Sequence, residues 1–207
     1  MAVEWLQLVY KVPAEPTRKR TYIWRQLRGL GAVYLQDGCC VLPRTDAAEE
    51  ALREIAAKAR EFGGEAMLSV LWPAEPDWHE RLVATLNRAR DEEYEEFLDT
   101  TERLEEEIAR ETRKGKFTFA ALEEIEDEYA RLERWLERIR ARDPFGAPAG
   151  QDADGRLAQA RGKLEAFVEH VQRQERGEVT TSAAPQAETT PGRQVAQVAP
   201  ATAKGPS

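Results

Sequence analysis

Residues Lys11 to Pro43 read KVPAEPTRKRTYIWRQLRGLGAVYLQDGCCVLP. This stretch holds a strand exit, a basic amphipathic helix and a tight turn between two apolar runs. Upstream, Trp5–Lys11 alternates as a strand, with Leu6, Leu8 and Tyr10 on one face. Pro16 favours an extended entry, and Thr17 is placed to cap the helix that follows. Ile23, Trp24, Leu27 and Leu30 recur at helical spacing as its apolar stripe, and Gly31 stops it. Asp37-Gly38 between Ala32–Gln36 and Cys39–Pro43 is a strong signal for a two-residue hairpin. A strict register pairs Gln36 with Cys39, Leu35 with Cys40, Tyr34 with Val41 and Val33 with Leu42. Opposed residues share a face. Val33, Leu35, Cys40 and Leu42 are therefore expected under the helices, with Tyr34, Gln36, Cys39 and Val41 on the other side.

Working outward, Asp46 and Glu49 have the spacing of a capping box. Leu52, Ile55, Ala56, Ala59 and Phe62 form the stripe of a second helix that Gly63-Gly64 ends. A fourth strand spans Ala66–Trp72. The order β-α-β-β-α-β predicts a ferredoxin-like α+β domain over residues 1–75, with both helices on one face of an antiparallel sheet.

The character of the chain changes at Pro73. Asp77 and Glu80 again suit a capping box, and a long helix runs to about Lys114, before Gly115. Its narrow seam is Tyr94, Leu98, Thr101, Leu104 and Ile108. A second long helix starts near Thr118. Its Leu122, Ile125, Tyr129, Leu132, Leu136 and Ile139 alternate steps of three and four, as in a coiled coil. A third helix, from about Asp154 to Arg176, carries Leu157, Leu164, Phe167, Val168 and Val171. Residues 76–176 thus predict a long antiparallel helical hairpin plus a third helix. Residues 177–207 lack any apolar period and predict a disordered tail.

Acids outnumber bases, 38 to 30, for a net charge of −8. That excludes a chain that coats nucleic acid over its whole surface but leaves room for a local basic face. Residues 1–45 supply it, with seven bases against three acids, whereas residues 76–177 carry eighteen against twenty-six. The start, MAVEW, has no basic segment leading into a long apolar run, and no window approaches the roughly 20 apolar residues of a spanning helix. A cytoplasmic protein with no membrane partner is expected.

Arg18, Lys19, Arg25 and Arg28 lie on or near the side of the first helix opposite its apolar stripe, with Lys11 close by. They are candidate phosphate contacts, and DNA is the expected partner. The plainer account is a solvated helix face. Cys39 and Cys40 are the two cysteines. Neighbours on a strand point to opposite faces, so a structural disulfide between them is not expected. Cys40 is expected in the core, which leaves Cys39 as the candidate redox thiol. The open sheet face offers Trp5, Val9, Tyr34, Val41 and Leu71, an interface for the long helices or for a second copy. His79 and His170 have no cysteine at ligand spacing, so no metal or other cofactor is expected. Glycine-rich phosphate loops, Ser-His-Asp sets and paired buried carboxylates are likewise missing, which argues against an enzyme.

The K-V-P exit of the first strand, the W-R-x-L-x-x-L-G-A helix end and Y-L-Q-D-G running into V-L-P resemble the N-terminal domain of ChrB, a regulatory protein of bacterial chromate resistance. The resemblance covers residues 4–75 well and the following helices loosely. It implies regulation of a chromate efflux gene. In place of the C-terminal domain usual in that family, a polar tail is expected here. The domain also resembles the metal-dependent nucleases of CRISPR adaptation. Those require an acid at the end of strand one, where this chain has Tyr10-Lys11-Val12-Pro13. A likeness to the middle part of PaaX-type repressors lacks the preceding winged helix. Two alternatives to regulation stand: a non-enzymatic scaffold that binds a partner through its helices, and a chromate redox enzyme resting on Cys39 alone.

Overall fold

The computed structural model describes residues 4–75, 77–115 and 117–177. The expected disordered tail, apart from Gly177, lies outside them. The chain is a mixed α+β structure with the order β1 (Trp5–Lys11), α1 (Thr17–Gly29), β2 (Val33–Gln36), β3 (Cys39–Pro43), α2 (Asp46–Glu61), β4 (Glu65–Leu71), α3 (Trp78–Lys114), α4 (Phe119–Arg140) and α5 (Ala153–Glu175). A short 3-10 turn, Pro148–Asp152, precedes α5. The four strands form one antiparallel sheet in the order β2-β3-β1-β4.

Helix ends depart from expectation by a residue. Pro16 is the N-cap of α1, without a side-chain hydrogen bond, so Thr17 is its first residue and not its cap. Thr45 caps α2 by accepting from the Ala48 amide at 3.0 Å, the role expected of Asp46. Asp77 caps α3 without a side-chain bond to the backbone. Its carboxylate instead pairs with Arg81 at 2.7 Å. Thr118 does cap α4, accepting from Ala121 at 3.3 Å.

The alternation along β1 decides the layers. Leu6 and Leu8 join Cys40, Leu42, Ile23, Leu27, Leu52, Ile55, Ala56 and Ala59 in a core between the sheet and helices α1 and α2. Trp5, on the other face, is fully buried with Val33, Val41, Leu82 and Leu86, and Leu71 and Phe145 pack beside them. The first turns of α3 therefore cover part of the second sheet face. At this junction Trp5 Nε1 donates to His79 Nδ1 at 3.3 Å, and its ring packs on Phe145 at 5.9 Å between centroids.

The β2–β3 register differs from the strict one. Gln36 pairs with Cys39 as expected, but Tyr34 pairs with Cys40 and Val33 with Val41, because a bulge lies between Tyr34 and Gln36. One extra residue on one strand turns every side chain beyond it to the opposite face. Tyr34 therefore packs with the α1/α2 core and Val33 with the α3 side. Leu35, expected under the helices, is 41% exposed. Cys40 is buried on the helix side and Cys39 on the other, as read from the sequence.

The third core belongs to α3, α4 and α5. At 37 residues α3 is about 55 Å long, enough to serve both the sheet and this bundle. Helix α4 runs back along it. Phe97 of α3 meets Trp135 of α4 at 5.8 Å, and Phe117, just before α4, meets Phe167 of α5 at 5.5 Å. Every position of the three-four seam on α4 is buried. On α3, Tyr94, Thr101, Leu104 and Ile108 are buried and Leu98 only partly, while Phe97, absent from the expected seam, is fully buried.

Leu132 is 2% exposed in this bundle. Leu132→Asp should lower stability by about 3–5 kcal/mol, because it leaves a carboxylate unpaired among apolar side chains. Glu137→Ala on the outer face should change it by less than about 0.5 kcal/mol. Urea denaturation of the two variants should separate them clearly, and equal midpoints would refute the seam.

Candidate nucleic-acid interface and adjoining groove

Helix α1 carries Arg18, Lys19, Arg20, Arg25 and Arg28 and no acid. Among the described residues none of these five forms an ion pair, whereas on α2 Arg53 and Lys58 pair with Glu49 and Glu61. At about 100° per residue, Arg18, Arg25 and Arg28 fall within one quadrant, opposite the fully buried Ile23 and Leu27. The five sequence-predicted bases do not converge. Arg18 and Arg25 are exposed on the outer face. Lys19 turns toward α2, donating to the Phe62 carbonyl at 3.1 Å with its ammonium 5.6 Å from the Phe62 ring centroid. Arg28 lies over the Trp24 ring at 5.2 Å. Lys11 lines a groove on the other flank of the helix.

That groove, of about 710 Å³, lies between α1, the end of β1 and the β2–β3 turn. Arg20, Thr17, Thr21 and Trp24 line it from the helix. Trp24, expected in the buried stripe, is 44% exposed, because Ile23 and Leu27 hold the centre of that stripe and leave Trp24 at its rim. Tyr10 and Tyr34 complete the lining from the sheet, with their hydroxyls 2.9 Å apart. The strict register would have put these two rings on opposite faces, so the bulge creates the pair. Asp37 and Gly38 close the end. Gly38 has φ +73°, its carbonyl accepts from the Tyr10 amide at 2.7 Å, and a Cβ there would collide with the Tyr10 carbonyl oxygen. Sequence reading missed Arg20 and the tyrosine pair. Arg20 was legible as a base on the flank of α1, but the tyrosines met only through the bulge.

Burial raises the Tyr34 hydroxyl far above its ordinary value, and its bond to Tyr10 adds to the effect. Burial raises Tyr10 too, against the opposing bond from Tyr34. Both hydroxyls are therefore protonated at neutral pH. Cys40 is pushed up to about 12, chiefly by burial, in keeping with a core thiol. Cys39, the candidate redox thiol, is 5% exposed, and its Sγ accepts from Gln7 Nε2 at 3.4 Å. A sealed thiol beside a neutral amide is poorly placed to meet an oxidant from solution. Both cysteines are free.

A smaller hollow of about 320 Å³ lies beyond Trp24, where Arg28 faces Glu92, Glu93 and Glu96 of α3. Arg90, 5% exposed, pairs with Glu93 at 2.9 Å, and Arg142 pairs with the same carboxylate at 2.6 Å. Arg142 also donates to the Arg28 carbonyl at 3.4 Å, which ties the bundle to the end of α1. Gly31, φ +79°, leaves the space that Arg90 Nη1 fills, since a Cβ would come within 2.6 Å of it. Among the described residues no group of three or more His, Cys, Asp or Glu side chains is placed to hold a metal, and no helix is long and apolar enough to cross a membrane.

The raised tyrosines set an alkaline limit. A hydroxyl whose proton is held more tightly in the folded chain contributes its full stability below the unfolded value, near 10, and loses it as pH climbs further. Folding stability should therefore fall as pH rises above about 10, and Tyr34→Phe should make the fall shallower. Denaturant unfolding at a series of pH values measures both slopes. Parallel curves for parent and variant would show that Tyr34 does not titrate differently on folding.

The family model described as Protein ChrB, N-terminal, matches residues 20–178. The match begins inside α1 and runs through α5, so it takes in the long helices as well as most of the sheet region. Comparison with the curated proteins and with the solved structures gives no match. A family match over most of the chain, from Arg20 within α1 through the bundle tied to it, establishes that the protein belongs to the ChrB N-terminal family and is related to chromate resistance.

Proposed function

We propose that this chain is a cytoplasmic, non-enzymatic regulator of chromate resistance that acts on expression of an efflux gene and contacts DNA phosphates through the outer face of α1. The observation that carries the reading is that Arg18 and Arg25 stand exposed on the outer face of α1, a helix with no acid, and form no ion pair among the described residues. Unneutralised bases on one exposed side are what sequence-independent phosphate binding requires. On this reading residues 1–75 are a ferredoxin-like unit, consistent with the strand order, and residues 76–176 are a coiled-coil-like region of acidic helices that limits affinity by repelling DNA.

A second reading, a scaffold that binds a partner protein or a second copy, is favoured by the part of the sheet face that α3 leaves open. Val9, Leu35, Met67 and Trp72 are 38%, 41%, 59% and 62% exposed on or beside it.

Arg18→Glu with Arg25→Glu should weaken binding to duplex DNA of any sequence alike and flatten the dependence of log K on log salt by about two, near 0.9 for each phosphate no longer neutralised. Fluorescence anisotropy over a salt series reads both quantities. An unchanged slope would remove α1 as the DNA-binding element, and absence of DNA binding by the parent at low salt would move the scaffold reading ahead.

A further inference from the structure

The groove beside α1 has features that phosphate contacts on the outer helix face do not use. Its volume of about 710 Å³ is within the usual range for small-ligand sites. Trp24 and Tyr34 line both this groove and the smaller hollow beyond it, so they form the wall between the two. Arg28 lines only the smaller hollow and lies over the Trp24 ring. Trp24 as a whole is 44% exposed, so it offers apolar ring surface to the groove it lines.

The polar lining is biased toward donors. Lys11 and Arg20 are both exposed, and neither has an ion pair among the described residues. In the Tyr10–Tyr34 pair one hydroxyl donates and the other accepts. The accepting hydroxyl keeps its own proton, which is left to donate elsewhere. A tyrosine hydroxyl is protonated at neutral pH, and burial raises both further, so this donor persists there. Against two cations and one spare hydroxyl stands a single carboxylate, Asp37, at the turn.

We propose that this groove binds a small organic anion carrying a planar aromatic ring, the ring stacking on Trp24, the anionic group pairing with Arg20 and Lys11, and an acceptor taking the spare tyrosine proton. Aromatic stacking uses the exposed ring surface of Trp24. An anionic oxygen gains charge-assisted hydrogen bonds from the guanidinium and the ammonium. An aromatic carboxylate and a nucleoside monophosphate share this chemistry. The proposal is independent of DNA binding, because it rests on Arg20, Trp24 and the tyrosines, whereas phosphate contacts rest on Arg18 and Arg25.

The test is titration of the full chain with salicylate and, separately, with guanosine monophosphate, followed by amide and indole N–H chemical shifts. At least one should saturate with the largest shifts at the Trp24 indole and at Gly38, and which one does distinguishes a carboxylate source from a phosphate source. The neutral counterparts, salicylamide and guanosine, should bind at least about tenfold more weakly, the loss expected when a charge-assisted hydrogen bond goes. Arg20→Gln should weaken the anion by a similar factor. Arg20 is exposed, so an unaltered spectrum of the free variant is expected. Should that spectrum collapse, Lys11→Gln makes the same charge test. No saturation by either anion, shifts centred elsewhere, or an affinity indifferent to the charge variant would overturn the proposal. So would sodium sulfate producing the same shifts at the same affinity, since that would remove the ring from recognition.

Discussion

Burial of the second sheet face by α3 is the constraint from which the rest of this structure follows. A four-stranded sheet with two helices on one side leaves its other side to water or to a partner. Here the N-terminal turns of α3 take part of that side, with Leu82 and Leu86 set on Trp5, Val33 and Val41. Trp5 is the anchor: fully buried, hydrogen-bonded to His79 and packed on Phe145, which follows α4. The contact therefore joins the sheet both to the start of α3 and to the chain leaving α4. It sets where the bundle stands relative to the sheet, and hence what α1 has as neighbours.

Satisfying that face requires apolar residues from β2 on it, and the β2–β3 bulge provides them. With Val33 turned toward α3, Tyr34 is turned toward α1 and reaches Tyr10. The same local irregularity thus serves packing on one side and builds the groove on the other. Bulges often occur where a strand must redirect a side chain at a functional site. Gly38 adds to this by letting the turn approach the Tyr10 backbone closely, which closes the groove at that end.

Charge organises the other link between the two parts. Glu93 holds Arg90 and Arg142 together beneath Gly31, and Arg142 reaches the Arg28 carbonyl. Burial lowers the Arg142 guanidinium from its ordinary range while Glu93 opposes the shift. Among the described residues, Arg90 Nε and Nη1 have no hydrogen-bond partner although both are buried. Buried ion clusters of this kind contribute little net stability, because desolvation offsets most of the attraction, yet removing one member is costly. Their effect is geometric: the acidic bundle is held at the C-terminal end of α1, against Arg28, and leaves Arg18 and Arg25 open to solvent. Membership of the ChrB N-terminal family covers both sides of this link, since the matched residues run from α1 through α5.

Local signals in the sequence, side-chain period and glycine placement, determined the elements. The extent of β1, the six-position seam of α4, Gly115 ending α3 and the opposite placement of Cys39 and Cys40 all follow from side-chain period and from glycine's conformational freedom, which are local properties. The basic character of α1 was equally legible, because charge on a helix face depends only on spacing. Tertiary structure decided what those elements meet. No pattern in Ala32–Gln36 announces that Leu35 is an extra residue, since a bulge is chosen by what must be buried on each side of the sheet. Trp24 reads as part of an apolar stripe until the burial of Ile23 and Leu27 leaves it at the rim. The basic residues named from sequence likewise part company only when α2, Trp24 and the groove each claim one of them. Local sequence specifies backbone state and side-chain period, while the face a residue presents, and the neighbour it finds there, depend on long-range burial.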